Sequence, residues 1–413
     1  MTGQSLGKED SRMSKKGMGR RDFLKFTAAA LGGVVYLGAS EKSSPAEGQE
    51  KKDEKITYRT LGKTGMKLPV ITMGVMNTSN PALVRAALSN GLYFLDTAQT
   101  YQRGTNESMI GEILKGRPRD SFAIATKAHL TVDQRTGLPV DGATEEAYAE
   151  KIDASLKNLG LDYIDIYHHH GVWVKETALY EPVLNALVKA KKAGKIRFIG
   201  ITTHRNEPEI IKAATDSKVY DVVLSAYNFR QKHSEEVKKA IARAAEAGLG
   251  VIAMKTIGGN VGGSYHNTQI DAPACLKWAL QDTNVHTIIA GFTTFDQLEM
   301  DLKVLREFSL SKAEKENLRL MALQSGLYCQ GCGTCLTACV KQLPIPDLMR
   351  AYMYLNGYRN LAEARDLLSS LNLPANPCGD CGSCPVKCLN QWNVSERLRN
   401  IVRLRDVPSK SIA

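Results

Sequence analysis

The sequence predicts an α/β chain: a (β/α)8 barrel followed by a smaller, cysteine-rich α-helical domain. Three observations lead there. Short β-rich runs alternate with helical patterns over roughly 250 residues, the signature of repeated β–α units. With 413 residues the chain can build one large core and a second, smaller one. Eight of its nine cysteines fall in two short runs near the C-terminal end, so that region rests on a different chemistry from the rest.

Residues 1–40 read as a leader and hold a net +4 of the formal charge of +11. In "GRRDFLKFTAAALGGVVYLGAS" (19–40) a basic stretch precedes an apolar run from Phe26 to Ala39. That run is short for a bilayer span and suits the core of a signal peptide. Residues 41–55, "EKSSPAEGQEKKDEK", form a polar linker. The excess of basic residues raises the question of nucleic acid. No basic helix face, aromatic RNA-binding strand or zinc-finger spacing accompanies it, so no nucleic-acid partner is expected.

The body, residues 56–310, carries β-rich runs at 92–97, 121–128, 163–170, 196–202, 221–228, 250–256 and 286–292. Helical patterns such as "EEAYAEKIDASLKNLG" and "EPVLNALVKAKKAGK" lie between them. A doubly wound sheet would show similar units, but no G-x-G-x-x-G follows the first strand. Barrels place their chemistry at the C-terminal ends of the strands. Asp96 closes "YFLD", Lys127 closes "FAIATK", His170 closes "YIDIYHHH", and Tyr101 follows Asp96 in the next loop. Strand alternation puts His168 and His170 on one face and His169 on the other. No carboxylate or cysteine accompanies them locally, which argues against a metal site there. The lone Cys275, in "DAPACLKWALQD", reads as a small buried hydrophobe on an amphipathic helix.

The segments "LDTAQTYQRGTNE", "IATK", "LGLDYIDIYHHHG", "GKIRFIGIT" and "LKWALQDTNVHTIIAGF" together resemble the aldo/keto reductase family over about residues 56–310. The resemblance implies a catalytic tetrad of Asp96, Tyr101, Lys127 and His170 acting on a small carbonyl or alcohol. A carbonyl that accepts hydride becomes an alkoxide and needs a proton. Tyrosine, with a pKa of about 10, is a poor donor near neutrality. A lysine cation beside it is expected to lower that pKa, with Asp96 holding Lys127 and His170 polarising the substrate oxygen. The resemblance also implies NAD(P)(H). The nicotinamide contacts map onto Thr202, Thr203, Leu224 and Met254, and the NADP 2′-phosphate contacts onto Gly291, Phe292 and Gln297. These last are uncharged, so the NADP 2′-phosphate residues are not matched and NAD, or altered dinucleotide binding, stays open. Gly258 and Gly259, in "GGNVGGS", could lie against a pyrophosphate.

Residues 311–413 contain "CQGCGTCLTAC" (329–339) and "CGDCGSCPVKC" (378–388), each C-x2-C-x2-C-x3-C. This is the spacing of bacterial [4Fe–4S] ferredoxins, whereas zinc sites more often use separated C-x2-C pairs. The domain resembles an α-helical dicluster ferredoxin, with "IPDLMRAYMYLNGYRNLAEARDLLSSL" as a helical pattern between the runs. That resemblance implies two [4Fe–4S] clusters, one on Cys329, Cys332, Cys335 and Cys388, the other on Cys378, Cys381, Cys384 and Cys339. Val340 and Leu389 stand where ferredoxins usually have proline. Arg20-Arg21 in the leader resembles the twin-arginine (Tat) export motif, with Gly19 in place of its usual Ser or Thr. It implies the Tat machinery as a partner and a periplasmic or extracytoplasmic destination. The expected function is an exported oxidoreductase whose clusters pass electrons to or from a partner protein or a quinone-linked carrier. The alternative is a non-enzymatic iron–sulfur electron-transfer protein on a degenerate barrel.

Overall fold

A computed structural model describes residues 55–259, 264–265, 268–324, 326–371, 373–379 and 381–407. The expected leader and most of the linker lie outside the described residues. A hairpin of β1 (Tyr58–Thr60) and β2 (Lys67–Pro69) comes first. The barrel strands are β3 (Ile71–Gly74), β4 (Phe94–Asp96), β5 (Ala123–His129), β6 (Ile164–His170), β7 (Ile196–Thr203), β8 (Val222–Ala226) and β9 (Gly250–Met254). After the two-residue strands β10 (Ser264–Tyr265) and β11 (Thr268–Gln269), β12 (Thr287–Ala290) closes the ring. The order β12-β3-β4-β5-β6-β7-β8-β9 is parallel throughout, as expected for a (β/α)8 barrel.

Parallel strands are buried on both faces and so read as nearly continuous apolar runs. All five residues of β8, Val-Val-Leu-Ser-Ala, are buried. Phe94, Ala125, Ile166, Leu224 and Ile252 belong to one inner core, joined by Leu61, Met66 and Leu68 from the hairpin region. Counting in twos from these residues, and from Phe198 of β7 packed against them, puts Asp96, Lys127, His168, Thr202 and Met254 on the same inward face, nearer the strand ends. A larger core lies between the strands and the surrounding helices. Helix signals follow sequence chemistry: Thr144 caps Glu145–Leu159 at Ala147 N, and Gly160 ends it in the left-handed region at φ 63°.

The cysteine-rich segment packs in the same compact unit as the barrel, residues 54–413. The helical pattern of 345–371 is two helices, Ile345–Asn356 and Leu361–Ser370, with Asn360 capping the second at Glu363 N. The apolar core of this region includes Ala226, the last residue of β8, and touches Met76 beyond β3. The domain therefore sits on the C-terminal ends of the strands. No helix among the described residues is long and apolar enough to cross a membrane.

Candidate active site

Asp96 and Lys127 meet at the inner rim. Their side chains are both 2% exposed, and the Lys127 ammonium donates to Asp96 Oδ1 and, at 2.7 Å, to the Thr97 carbonyl. Register explains the meeting: Asp96 pairs with Ala125 of β5, two residues before Lys127. The ammonium lies 5.1 Å from the centre of the Tyr101 ring. The Tyr101 and His170 rings stand edge to face at 6.2 Å, and His170 stacks on His129 at 3.7 Å.

The expected effect on the tyrosine is corrected by this geometry. Burial, the Asp96 charge and groups of the cysteine-bearing domain hold the Tyr101 hydroxyl well above its usual range. Lys127 is engaged by Asp96, so its charge is already compensated. Tyr101 is thus firmly protonated at rest. Burial, then His129 and Lys127, hold His170 well below the usual imidazole range, so it is neutral and can donate a hydrogen bond from one nitrogen. Its Nδ1 is buried without a partner. Beneath it, both ring nitrogens of His168 are buried and unpaired. Gly200, which pairs with His168 across β6 and β7, leaves room for that ring; a Cβ there would collide with Nδ1. His169 points the other way, toward Tyr148 and Tyr220.

Residues far away in sequence roof the site. Arg350, on the helix Ile345–Asn356, donates to Asp347 Oδ1 at 2.5 Å and meets His204 Nε2 at 3.2 Å. Lys255, just past β9 at φ 55°, lies 5.5 Å from the Tyr354 ring centre and 5.7 Å from that of Tyr358. Asn360 donates to Asn77 at 3.1 Å, and Arg103 pairs with Asp366 at 3.4 Å. Buried Glu207 latches the domain from the barrel side. It accepts from Tyr328 at 2.9 Å, from Gln231 at 3.0 Å and from His233 at 2.9 Å. Of these residues, only Lys255 carried a readable signal, as a charged residue at a strand end. The roof residues carried none.

Asp96, Tyr101, Met254, Gly259 and Gly291 line one cavity, together with Phe292, Gln297 and Asp301. Thr202 and Thr203 are not among its lining residues. The Thr202 hydroxyl accepts from Gly171 N at 2.7 Å, and that of Thr203 donates to the Arg205 carbonyl at 2.7 Å. Gly258 lies against Arg230 instead. Leu224 is buried in the inner core. At the Gly291–Gln297 end the cavity holds no cation among the described residues. It holds Asp301, whose carboxyl burial pushes to about 7. Cys275 is fully buried, as expected of a small hydrophobe.

The other eight cysteines form no disulfides. Cys329, Cys332, Cys335 and Cys388 line one cavity; Cys339, Cys378, Cys381 and Cys384 line another, of about 200 Å³. Each run thus lends its fourth cysteine to the other. Burial, partly offset by Gly331 N–H and Arg205, lifts the Cys329 thiol to about 11; burial and neighbouring cysteines lift Cys335 to about 12. Among the described residues no three His, Cys, Asp or Glu side chains converge as ligands of a single metal ion. Each quartet offers four sulfur donors, and the cavity of Cys339, Cys378, Cys381 and Cys384 is much the roomier, about 200 Å³ against about 20 Å³ for the other.

Residues 73–273 match the model of the aldo/keto reductase family. The chain is similar to L-glyceraldehyde 3-phosphate reductase of Escherichia coli, 24% identical over 315 residues, 62% of this chain and 90% of that protein. It is also similar to L-galactose dehydrogenase of Arabidopsis thaliana, 34% identical over 163 residues, 36% of this chain and 49% of that protein. In fold it is similar to the holo form of aldo-keto reductase AKR11C1 from Bacillus halodurans, at a TM-score of 0.54 and 23% identity, over 67% of this chain and 99% of that one.

Proposed function

From the premise that the chain is an aldo/keto reductase-like oxidoreductase, we propose that it interconverts a small carbonyl and its alcohol at Tyr101, beneath a roof that carries two iron–sulfur clusters. The observation that carries this reading is the convergence of Tyr101, the Lys127–Asp96 pair and neutral His170 on one rim. Bound NAD(H) would supply or take the hydride. The cavity's Gln297 and Asp301, with no cation at that end, favour a dinucleotide without a 2′-phosphate. Tyr101 donates its hydroxyl proton to the oxygen on which negative charge develops, and recovers it from solvent. The Lys127 ammonium, already paired with Asp96, offsets only part of the phenolate charge, and Asp96 keeps it in place. His170 orients the carbonyl oxygen through a hydrogen bond. The helix Ile345–Asn356 excludes water.

The two quartets have the donor set of cubane clusters: four cysteines around each cavity, drawn from both runs, with the Cys329 and Cys335 thiols kept protonated by burial unless a metal takes their charge. Such clusters would provide one-electron exchange with a partner protein or a quinone-linked carrier. The twin-arginine leader supports export of the folded chain, with the clusters already in place, to an extracytoplasmic compartment. Free nicotinamide nucleotide is expected to be scarce there, which gives the clusters a purpose. The test is Tyr101→Phe, assayed on aldehydes, ketones and sugars with NADH, NADPH and reduced viologen. The ring is kept and the proton is lost, so turnover should fall about 10²–10⁴-fold. Wild-type turnover in that variant would overturn the assignment and favour the electron-transfer alternative.

A further inference from the structure

Lys255 has no hydrogen-bonded or ion-paired anion among the described residues; burial, then Arg350, lowers its amine to about 7, with Glu363 pulling the other way. Lys255 lines both the catalytic cavity and a smaller one behind it, shared with His204, Arg205, Arg350 and Cys329. Among the described residues no oxygen lies within hydrogen-bond or ion-pair distance of its Nζ; only the faces of Tyr354 and Tyr358 attend it. Leaving a cation in such a place is costly unless something answers it. Behind Lys255 the surplus continues. Arg350 and Arg205 share one carboxylate, Asp347, which Arg205 Nη1 reaches only at 3.6 Å, and Arg205, 6% exposed, keeps Nε without a hydrogen-bond acceptor among the described residues.

The two sides of this cationic wall face different things. Arg205 and Arg350 feel the Cys329 thiol; Lys255 feels Arg350, Glu363 and Lys127 and no cysteine. Tyr101 and Lys255 share Glu363 as a charged neighbour, and the Tyr354 and Tyr358 rings flank both. Lys255 therefore stands with the catalytic groups of the cavity that it shares with Asp96 and Tyr101. We propose that Lys255, backed by Arg350, recognises a carboxylate on the substrate, and that the substrates are small oxo acids or hydroxy acids. This rests on the carbonyl reading of the Tyr101 site and names its substrate class. The carboxylate settles between the Lys255 ammonium and the Tyr354–Tyr358 roof while the carbonyl oxygen reaches Tyr101 and His170. The other anion able to reach Lys255 is the pyrophosphate of the dinucleotide, and the experiment separates the two.

The full chain, purified anaerobically, is titrated calorimetrically with pyruvate, 2-oxoglutarate, methyl pyruvate and ADP-ribose. A charge-assisted contact should make one of the acids bind about tenfold or more tighter than the neutral ester. Lys255→Met should erase that preference, leave ester and ADP-ribose binding unchanged and preserve or raise the melting temperature, since among the described residues the lysine has no hydrogen-bonded or ion-paired partner to lose. Lys255→Arg should keep the preference. Equal affinity for acid and ester, no binding of either acid, a Lys255→Met variant that melts lower, or one that loses ADP-ribose instead would each overturn the proposal. Binding needs no turnover, so these outcomes stand apart from the Tyr101→Phe result that tests the chemistry itself.

Discussion

Lys127→Met removes the cation from a pair in which each side chain is 2% exposed. Asp96 Oδ1 then loses the ammonium, and Oδ2 already has no partner. Breaking a buried ion pair from one side costs about 3–5 kcal/mol. The cost should depend on pH in a definite direction. Burial already raises the Asp96 carboxyl above its ordinary value of 3.8 despite the pull of Lys127. Without Lys127 the rise is larger, and the folded carboxyl holds its proton while the unfolded one releases it. Below the unfolded value both states are protonated and the penalty vanishes. As pH climbs past it, the variant loses about 1.4 kcal/mol per unit until the folded carboxyl ionises too. Asp96→Asn/Lys127→Met has no charge to bury, so that slope should disappear while activity stays lost. Urea unfolding of wild type, single and double variants at pH 5 and pH 7.5, beside turnover, makes the comparison. A pH-independent deficit in the single variant, or the same slope in the double, would refute the argument.

Iron and acid-labile sulfide should each come to about eight per chain after anaerobic purification. Zinc in their place would refute the clusters. Cys332→Ser and Cys388→Ser should disturb the same cluster in electron paramagnetic resonance and spare the other; opposite effects would break the exchanged pairing. Arg20-Arg21→Lys-Lys should keep the protein in the cytoplasm, read by fractionation, and normal export would remove the twin-arginine assignment. The Glu207 hydrogen bond raises the His233 pKa above 6.5, so that contribution is complete below about that pH and is lost as pH rises through the folded value. His233→Gln should therefore cost more urea resistance at pH 5.5 than at pH 8.5; the reverse order would falsify the pairing.

Seven of the eight barrel strands could be read as apolar runs, because burial on both faces leaves such runs unbroken. β3, Ile71–Gly74, was the exception, although it is no shorter than β4 or β12. Strand-end polarity located Asp96, Lys127 and His170 because alternation carries the inward face from the core to the rim. The tyrosine's proton affinity was misjudged, since spacing reports neither burial nor the Tyr354–Tyr358 roof. Thr202 and Thr203 illustrate a different limit: position in the chain locates a hydroxyl but not the loop atom that uses it. The 345–371 pattern hid its break because Gly357, Tyr358, Arg359 and Asn360 interrupt it by only about one turn, so the apolar spacing resumes nearly in phase. Arg350 and Glu363 belong to the site only through the docking of one region on another.

The helix that roofs the barrel lies in the chain between Cys339 and Cys378, whose thiols share a cavity. On the cluster reading, the chain at both ends of this helix is tied to the same group, in addition to the barrel contacts of Asp366, Asn360 and Tyr328. Oxidation of a single sulfur would then loosen the lid over Tyr101 while the hydrophobic cylinder beneath stays whole. Such a molecule fails quietly: it floods and falls idle, instead of continuing to turn over with its electrons going astray.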